Sequence, residues 1–319
     1  MGIFCEINLN LSPNAEFLAG TNVAGNVRYA FDEDAKFTNI TLSLKGIGTA
    51  WYNEKSKDNK RTHTYSETYV DKCETLLEKS KHGKLMVIGS YVAQFNFALP
   101  SNIPPTVDIY RTEVSRILRY NVKYYIRIKF ERPGLMFTKR FKKFLNVVSD
   151  ITPVMPREPV VYGEQKTLLH LLSRNSIVKI KAIIYNSVAK AGKRVKFDCE
   201  IINNSKVDVK YIETYLMEIL QLKKRGNFDN FYELVPDTTS KTASIKRGDT
   251  QKIEFEVKLP ESAASIDCCS IISRSYMIYI NVKLPVPHVN FGLKIPFQIQ
   301  LKDIAYEQPP DYWEVMNED

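Results

Sequence analysis

The segment Arg119-Tyr120-Asn121-Val122-Lys123-Tyr124-Tyr125-Ile126-Arg127-Ile128-Lys129-Phe130 decides the fold class. Tyr120, Val122, Tyr124, Ile126, Ile128 and Phe130 fall on one side of an extended chain; Arg119, Asn121, Lys123, Tyr125, Arg127 and Lys129 fall on the other. A period of two is the side-chain period of a strand, so one face is expected to be buried and the other solvated. The solvated face carries four positive charges. Pro133-Gly134 then turns the chain, and Lys139-Arg140-Phe141-Lys142-Lys143 brings a second basic cluster before Val147-Val148. Were the two segments neighbouring strands, their charges would share one surface. Like charges side by side cost stability, which gives weight to a recruiting purpose over a chance excess of lysine.

Working outward, the same style recurs. Cys5, Ile7, Leu9 and Leu11 alternate with polar residues, and Val23–Val27 reads as a short strand with glycines where a bend or bulge would sit. Ile40, Leu42 and Leu44 alternate again. Asn53–Arg61 is almost wholly polar and reads as a long exposed loop, with Tyr65–Val70 a candidate returning strand. Glu74–Lys84 fits a short helix or an irregular charged loop equally well. Prolines 153, 156 and 159 cannot continue a sheet, and they place a boundary between domains. Beyond it Val178–Ile184, Val195–Ile201, Ile253–Leu259 and Tyr276–Leu284 alternate between turn signals. The expectation is an all-β chain of two tandem antiparallel β-sandwiches. Residues 1–150 form the first, 151–162 a proline-rich linker, 163–302 the second and 303–319 an acidic tail.

Composition narrows the function. No apolar window is long enough to span a bilayer, and MGIFCEINLN lacks the basic and apolar regions of a secretory signal. Glu6 stands where a myristoylation motif wants Ser or Thr. The five cysteines have no metal spacing and read as reduced cytosolic thiols, so the sequons at Asn10, Asn39 and Asn203 are expected to stay unmodified. The net charge is +9, and because the tail from Asp303 holds six acidic residues and no Lys or Arg, residues 1–302 carry +15. Such an excess suits phosphate-rich peptides, lipid headgroups or nucleic acid. No helix-turn-helix, zinc or aromatic-basic pattern accompanies it, so nucleic acid is not expected. His63, His82, His170 and His288 are isolated from triad-like or metal-ligand company, and no phosphate-cradling glycine motif appears. An enzyme, a cofactor and a metal are therefore not expected.

The tail carries one sharp motif, Gln308-Pro309-Pro310-Asp311-Tyr312-Trp313-Glu314-Val315. Adjacent prolines fix φ near the polyproline II value, so the segment is extended before it meets anything. Prolines followed by an aromatic are what an aromatic-lined WW groove reads, with Tyr312 filling a neighbouring pocket. The bland alternative is a proline turn closing the last strand. The acidity of the surrounding residues favours a solvated tail.

The order of landmarks resembles the alpha-arrestin class of arrestin-domain proteins. Gly20-Thr21-Asn22-Val23-Ala24-Gly25-Asn26-Val27 is similar to that family's glycine-flanked strand, and Ile40-x-Leu42-x-Leu44-x-Gly46 with Trp51 to the next. Phe95-x-Phe97-x-Leu99-Pro100 followed by Pro104-Pro105, then Arg119-Tyr120-x-Val122 and Arg132-Pro133, continue the likeness. Cys269, Tyr276 and Ile295-Pro296-Phe297 resemble the close of its C-terminal domain. The resemblance implies an adaptor that links cytoplasmic tails of membrane receptors or transporters to WW-domain HECT ubiquitin ligases. It implies a cytoplasmic protein drawn to the plasma membrane and endosomes. Pro309, Pro310 and Tyr312 would carry the ligase contact, with Val315 a supporting anchor. Arg119, Lys123, Arg127, Lys129, Lys139, Arg140, Lys142 and Lys143 are the candidates for cargo or an anionic membrane. The alternative is an arrestin-fold scaffold that sorts cargo without a ligase.

Three features depart from the family pattern. Thr106–Tyr110 replaces the Phe-Glu-Gly that follows the double proline, which leaves the path of that segment open. One tail motif stands where many members have two. The redox branch, typified by thioredoxin-interacting protein, pairs a C-terminal-domain cysteine with thioredoxin. No cysteine lies between Phe228 and Asp267, so thioredoxin binding is not expected.

Overall fold

The alternating segments become strands whose apolar faces meet in two separate cores. The computed structural model describes residues 2–10, 15–55, 60–134, 138–168, 176–224 and 227–301, and among these the chain is all-β with no helix. It divides into two units, one built on Met1–Ser149 and one on Asp150–Ile304. The tail motif, Pro309 to Val315, lies outside the described residues.

The first unit runs β1 (Ile3–Leu9), β2 (Glu16–Leu18), β3 (Asn22–Phe31), β4 (Ala35–Phe37), β5 (Asn39–Lys55) and β6 (Lys60–Leu77). It continues with β7 (Lys84–Met86), β8 (Gly89–Ala98), β9 (Val107–Thr112), β10 (Arg116–Glu131) and β11 (Thr138–Val148). One sheet has the order β1-β3-β8; the other has β2-β11-β10-β5-β6, with β9 also paired to β10. Tyr29 and Phe31 from the first sheet meet Phe130 of the second at ring-centroid distances of 5.4 and 6.0 Å, edge to face. That geometry suits the ring quadrupoles and ties the two layers together. Tyr124 is fully buried beneath Gly46, and its hydroxyl donates to the Pro104 carbonyl at 2.7 Å. This bond anchors the double-proline segment.

The second unit runs β12 (Val160–Thr167), β13 (Ile177–Ile184), β14 (Val188–Lys190), β15 (Arg194–Asn204) and β16 (Tyr211–Lys224). It ends with β17 (Asn227–Leu234), β18 (Ser240–Lys241), β19 (Thr250–Lys258), β20 (Ile272–Lys283) and β21 (Phe291–Gln300). Its sheets have the orders β12-β13-β15-β19 and β14-β21-β20-β16-β17. Val178, Ile180, Phe197, Leu216, Phe255, Ile278, Ile295 and Phe297 fill the space between them. Apart from the added edge strand β12, the order of the main-sheet strands repeats that of the first unit. In each, a short strand closes the larger sheet in parallel: β2 beside β11, and β14 beside β21. The sandwiches are thus antiparallel except at this one joint.

Three local expectations need correction. Asn53–Arg61 is not one long loop, because β5 reaches Lys55 and β6 starts at Lys60. Ladder hydrogen bonds to a partner hold a polar strand as well as an apolar one, so polarity alone concealed the hairpin. Glu74–Lys84 contains no helix; β6 continues to Leu77, and Lys84 begins β7, which pairs with β4. Gly25 marks neither a bend nor a bulge, since β3 stays in continuous register with β1 and β8. A Cβ there would lie 2.1 Å from the Asn8 carbonyl oxygen, so glycine is needed for close approach. The segment that departs from the family pattern, Thr106–Tyr110, leads into β9 on the edge of β10.

Candidate interaction surface

Strand β10 does what its alternation requires. Its even-numbered residues from Leu118 to Phe130 are buried, and Arg119 and Lys123 are exposed. The departure is Tyr125, an outer-face residue that is itself buried. Phe144 meets its ring edge to face at 5.8 Å, and the Lys142 ammonium sits 4.5 Å from the ring centroid. A cation over an aromatic face is attracted by the ring quadrupole.

β11 is the antiparallel neighbour of β10, with Arg127 opposite Lys142 and Lys129 opposite Arg140. Directly opposed residues share a face, so Arg127, Lys129, Arg140 and Lys142 form a square of four cations. The basic cluster does not join this surface as a whole. Lys139 lies opposite Phe130 and Lys143 opposite Ile126, both core-facing positions of β10. The period of two therefore sends these two lysines to the other side of the sheet, where both stay exposed at its rim. There Lys139 lies 5.5 Å from the Phe141 ring centroid. The expected single surface is half the cluster, not all of it.

Carboxylates reach only part of this basic face. Glu131 pairs with Lys129, and Asp108 on β9 pairs with Arg119 at 3.2 Å. The Lys129 hydrogen bond to Glu131, helped by Asn39, holds that carboxyl below the usual carboxylate value. Among the described residues no ion pair reaches Lys123, Arg127, Arg140 or Lys142. The Arg127 Nε is buried and meets no acceptor among them. Phe144, 59% exposed, stands beside these cations. Lys45 on β5 lies opposite Tyr125 and pairs with Asp71. Its nearness to β10 could not be read from the sequence, because cross-strand register is a tertiary fact.

The arrangement can attract and orient anions. Among the described residues no group of three or more His, Cys, Asp or Glu is placed to hold a metal. All five thiols are free. What the fold and surface define is a scaffold of two β-sandwiches with a basic sheet face on the first. The family model described as Arrestin (or S-antigen), N-terminal domain, matches residues 5–153, and that described as Arrestin (or S-antigen), C-terminal domain, matches residues 174–303. The chain belongs to the arrestin-domain family. Proteins of this family act as trafficking adaptors and are typically non-enzymatic scaffolds. A search of curated proteins found no match.

Proposed function

We propose that this protein is an alpha-arrestin-type adaptor that brings a WW-domain HECT ubiquitin ligase to membrane cargo. The observation that carries the reading is Pro309-Pro310-Asp311-Tyr312 on an acidic C-terminal segment behind two arrestin domains. Tethering raises the effective concentration of ligase near cargo lysines and needs no bond-making by the adaptor. Arg119, Lys123, Arg127, Lys129, Arg140 and Lys142 supply the surface for acidic cargo tails or anionic headgroups, and the working location is the cytoplasmic side of the plasma membrane and endosomes. Val315 extends the ligase contact of Pro309, Pro310 and Tyr312.

The test is a pull-down of WW-domain ligases by the intact chain and by Tyr312→Ala. Loss of ligase with retained cargo is the expected result. Equal ligase recovery from both would end the reading, and unchanged cargo turnover in the variant would leave a scaffold that sorts without a ligase. A phosphate on Tyr312 adds charge and bulk to a pocket built for a neutral ring, so a phosphorylated Gln308–Asn317 peptide should bind a WW domain more weakly than its unmodified form.

A further inference from the structure

Strand β6 is an 18-residue edge: among the described residues it pairs with β5 and nothing else. A sheet edge this long is a template for another strand. β6 contains no proline to block it. Its charges are also ordered. Arg61 lies toward one end and Asp71 and Glu74 toward the other, with Lys72 between those two and Glu67 near the middle.

We propose that a second copy of this chain pairs with β6 antiparallel, edge to edge about a two-fold axis. A two-fold interface brings the same patch against itself, so it suits an edge whose two ends carry opposite charge. The register follows from the bulge. Val70 opposes Gly46 and Thr68 opposes Ile47, which leaves Tyr69 as an extra residue in β6. An extra residue inverts the face parity of one arm relative to the other. Pairing then matches faces only if opposed residue numbers sum to an odd value. The register that sets Arg61 opposite Glu74 of the second copy meets this condition. It also sets Thr62 opposite Cys73, His63 opposite Lys72 and Thr64 opposite Asp71. The register two residues shorter would oppose Arg61 to Lys72, a repulsive pair. Arg61, Thr62, Cys73 and Glu74 are all exposed. The two bulges meet near the axis, and the arms on either side form the ladder.

One consequence rests on the adaptor reading, while the pairing itself does not. A dimer carries two copies of the Pro309-Pro310-x-Tyr312 motif. It restores the two-site avidity that a single-motif tail lacks, worth a hundredfold or more where both sites can be engaged.

Sedimentation velocity of the full chain across a concentration series tests the pairing. A monomer–dimer equilibrium is expected. Arg61→Glu and Glu74→Arg should each raise the dimer Kd on the order of tenfold, because each places two like-charge pairs across the axis. The double swap Arg61→Glu with Glu74→Arg should return it toward the wild-type value. Thr62→Cys should form a disulfide with Cys73 of the second copy under mild oxidation, identified by mass of the linked peptides. A chain that stays monomeric, or a swap no better than the single reversals, overturns the proposal. So does a β6 edge that captures an extended peptide while remaining monomeric. Binding of one isolated WW domain separates the two readings. It survives loss of the dimer, whereas Tyr312→Ala removes it and leaves the dimer intact.

Discussion

Asn203 shows what a single residue can settle. It is fully buried, and its amide nitrogen donates to the carbonyls of Val207, Ile245 and Lys246 at 3.0, 3.3 and 3.0 Å. That nitrogen is the atom a glycan would need, so the sequon is closed in the folded chain. Asn203→Ala removes all three donated bonds, but each carbonyl keeps a second donor, from Ser205 Oγ, the Val209 N–H and the Asp249 N–H. The loss should cost about 1–2 kcal/mol, read as a lower urea midpoint at unchanged m-value. The thiols divide by burial. Desolvation pushes Cys199 up to about 12 and Cys5 up to about 11, so both remain protonated thiols near neutral pH. Cys73 is exposed on β6. Brief alkylation at about pH 8 should therefore label Cys73 first and reach Cys199 only after unfolding. Peptide mapping of the alkylated cysteines checks the order.

Among the elements, β3 and β10 make opposite points about legibility. The buried face of β10 was readable because one-sided burial imposes strict alternation. The role of Gly25 in β3 was not, because the Asn8 carbonyl that excludes a side chain comes from another strand. Gly25→Ala should cost about 2 kcal/mol in a denaturant titration through overpacking between β1 and β8. The far end of β10 is closed by Glu131, bound by Lys129 and by the Asn39 amide at 3.0 Å. Its folded pKa lies below the ordinary 4.5, so its stabilisation is present above that pH and is lost as pH falls through the lowered value. Glu131→Gln should be less stable than wild type by a constant amount above about pH 5.5, and the gap should close on further acidification. A difference that grows toward low pH would contradict the assignment.

At the scale of the whole molecule, each unit has its own core and, the added edge strand β12 aside, a matching order of main-sheet strands. Met1–Ser149 produced alone should therefore unfold cooperatively with dispersed amide resonances. A collapsed spectrum would show that it depends on the second unit. Alternation, proline spacing and net charge determined by themselves that this is an all-β chain of two sandwiches with a basic excess, since burial of one face leaves a period of two in any sequence. The order of landmarks carried the family likeness. Which cations meet, which lysines turn away and which strand is left as an edge were decided only by the tertiary structure. Those facts depend on register between segments far apart in sequence, and a shift of one residue in either partner reverses the face on which every side chain stands.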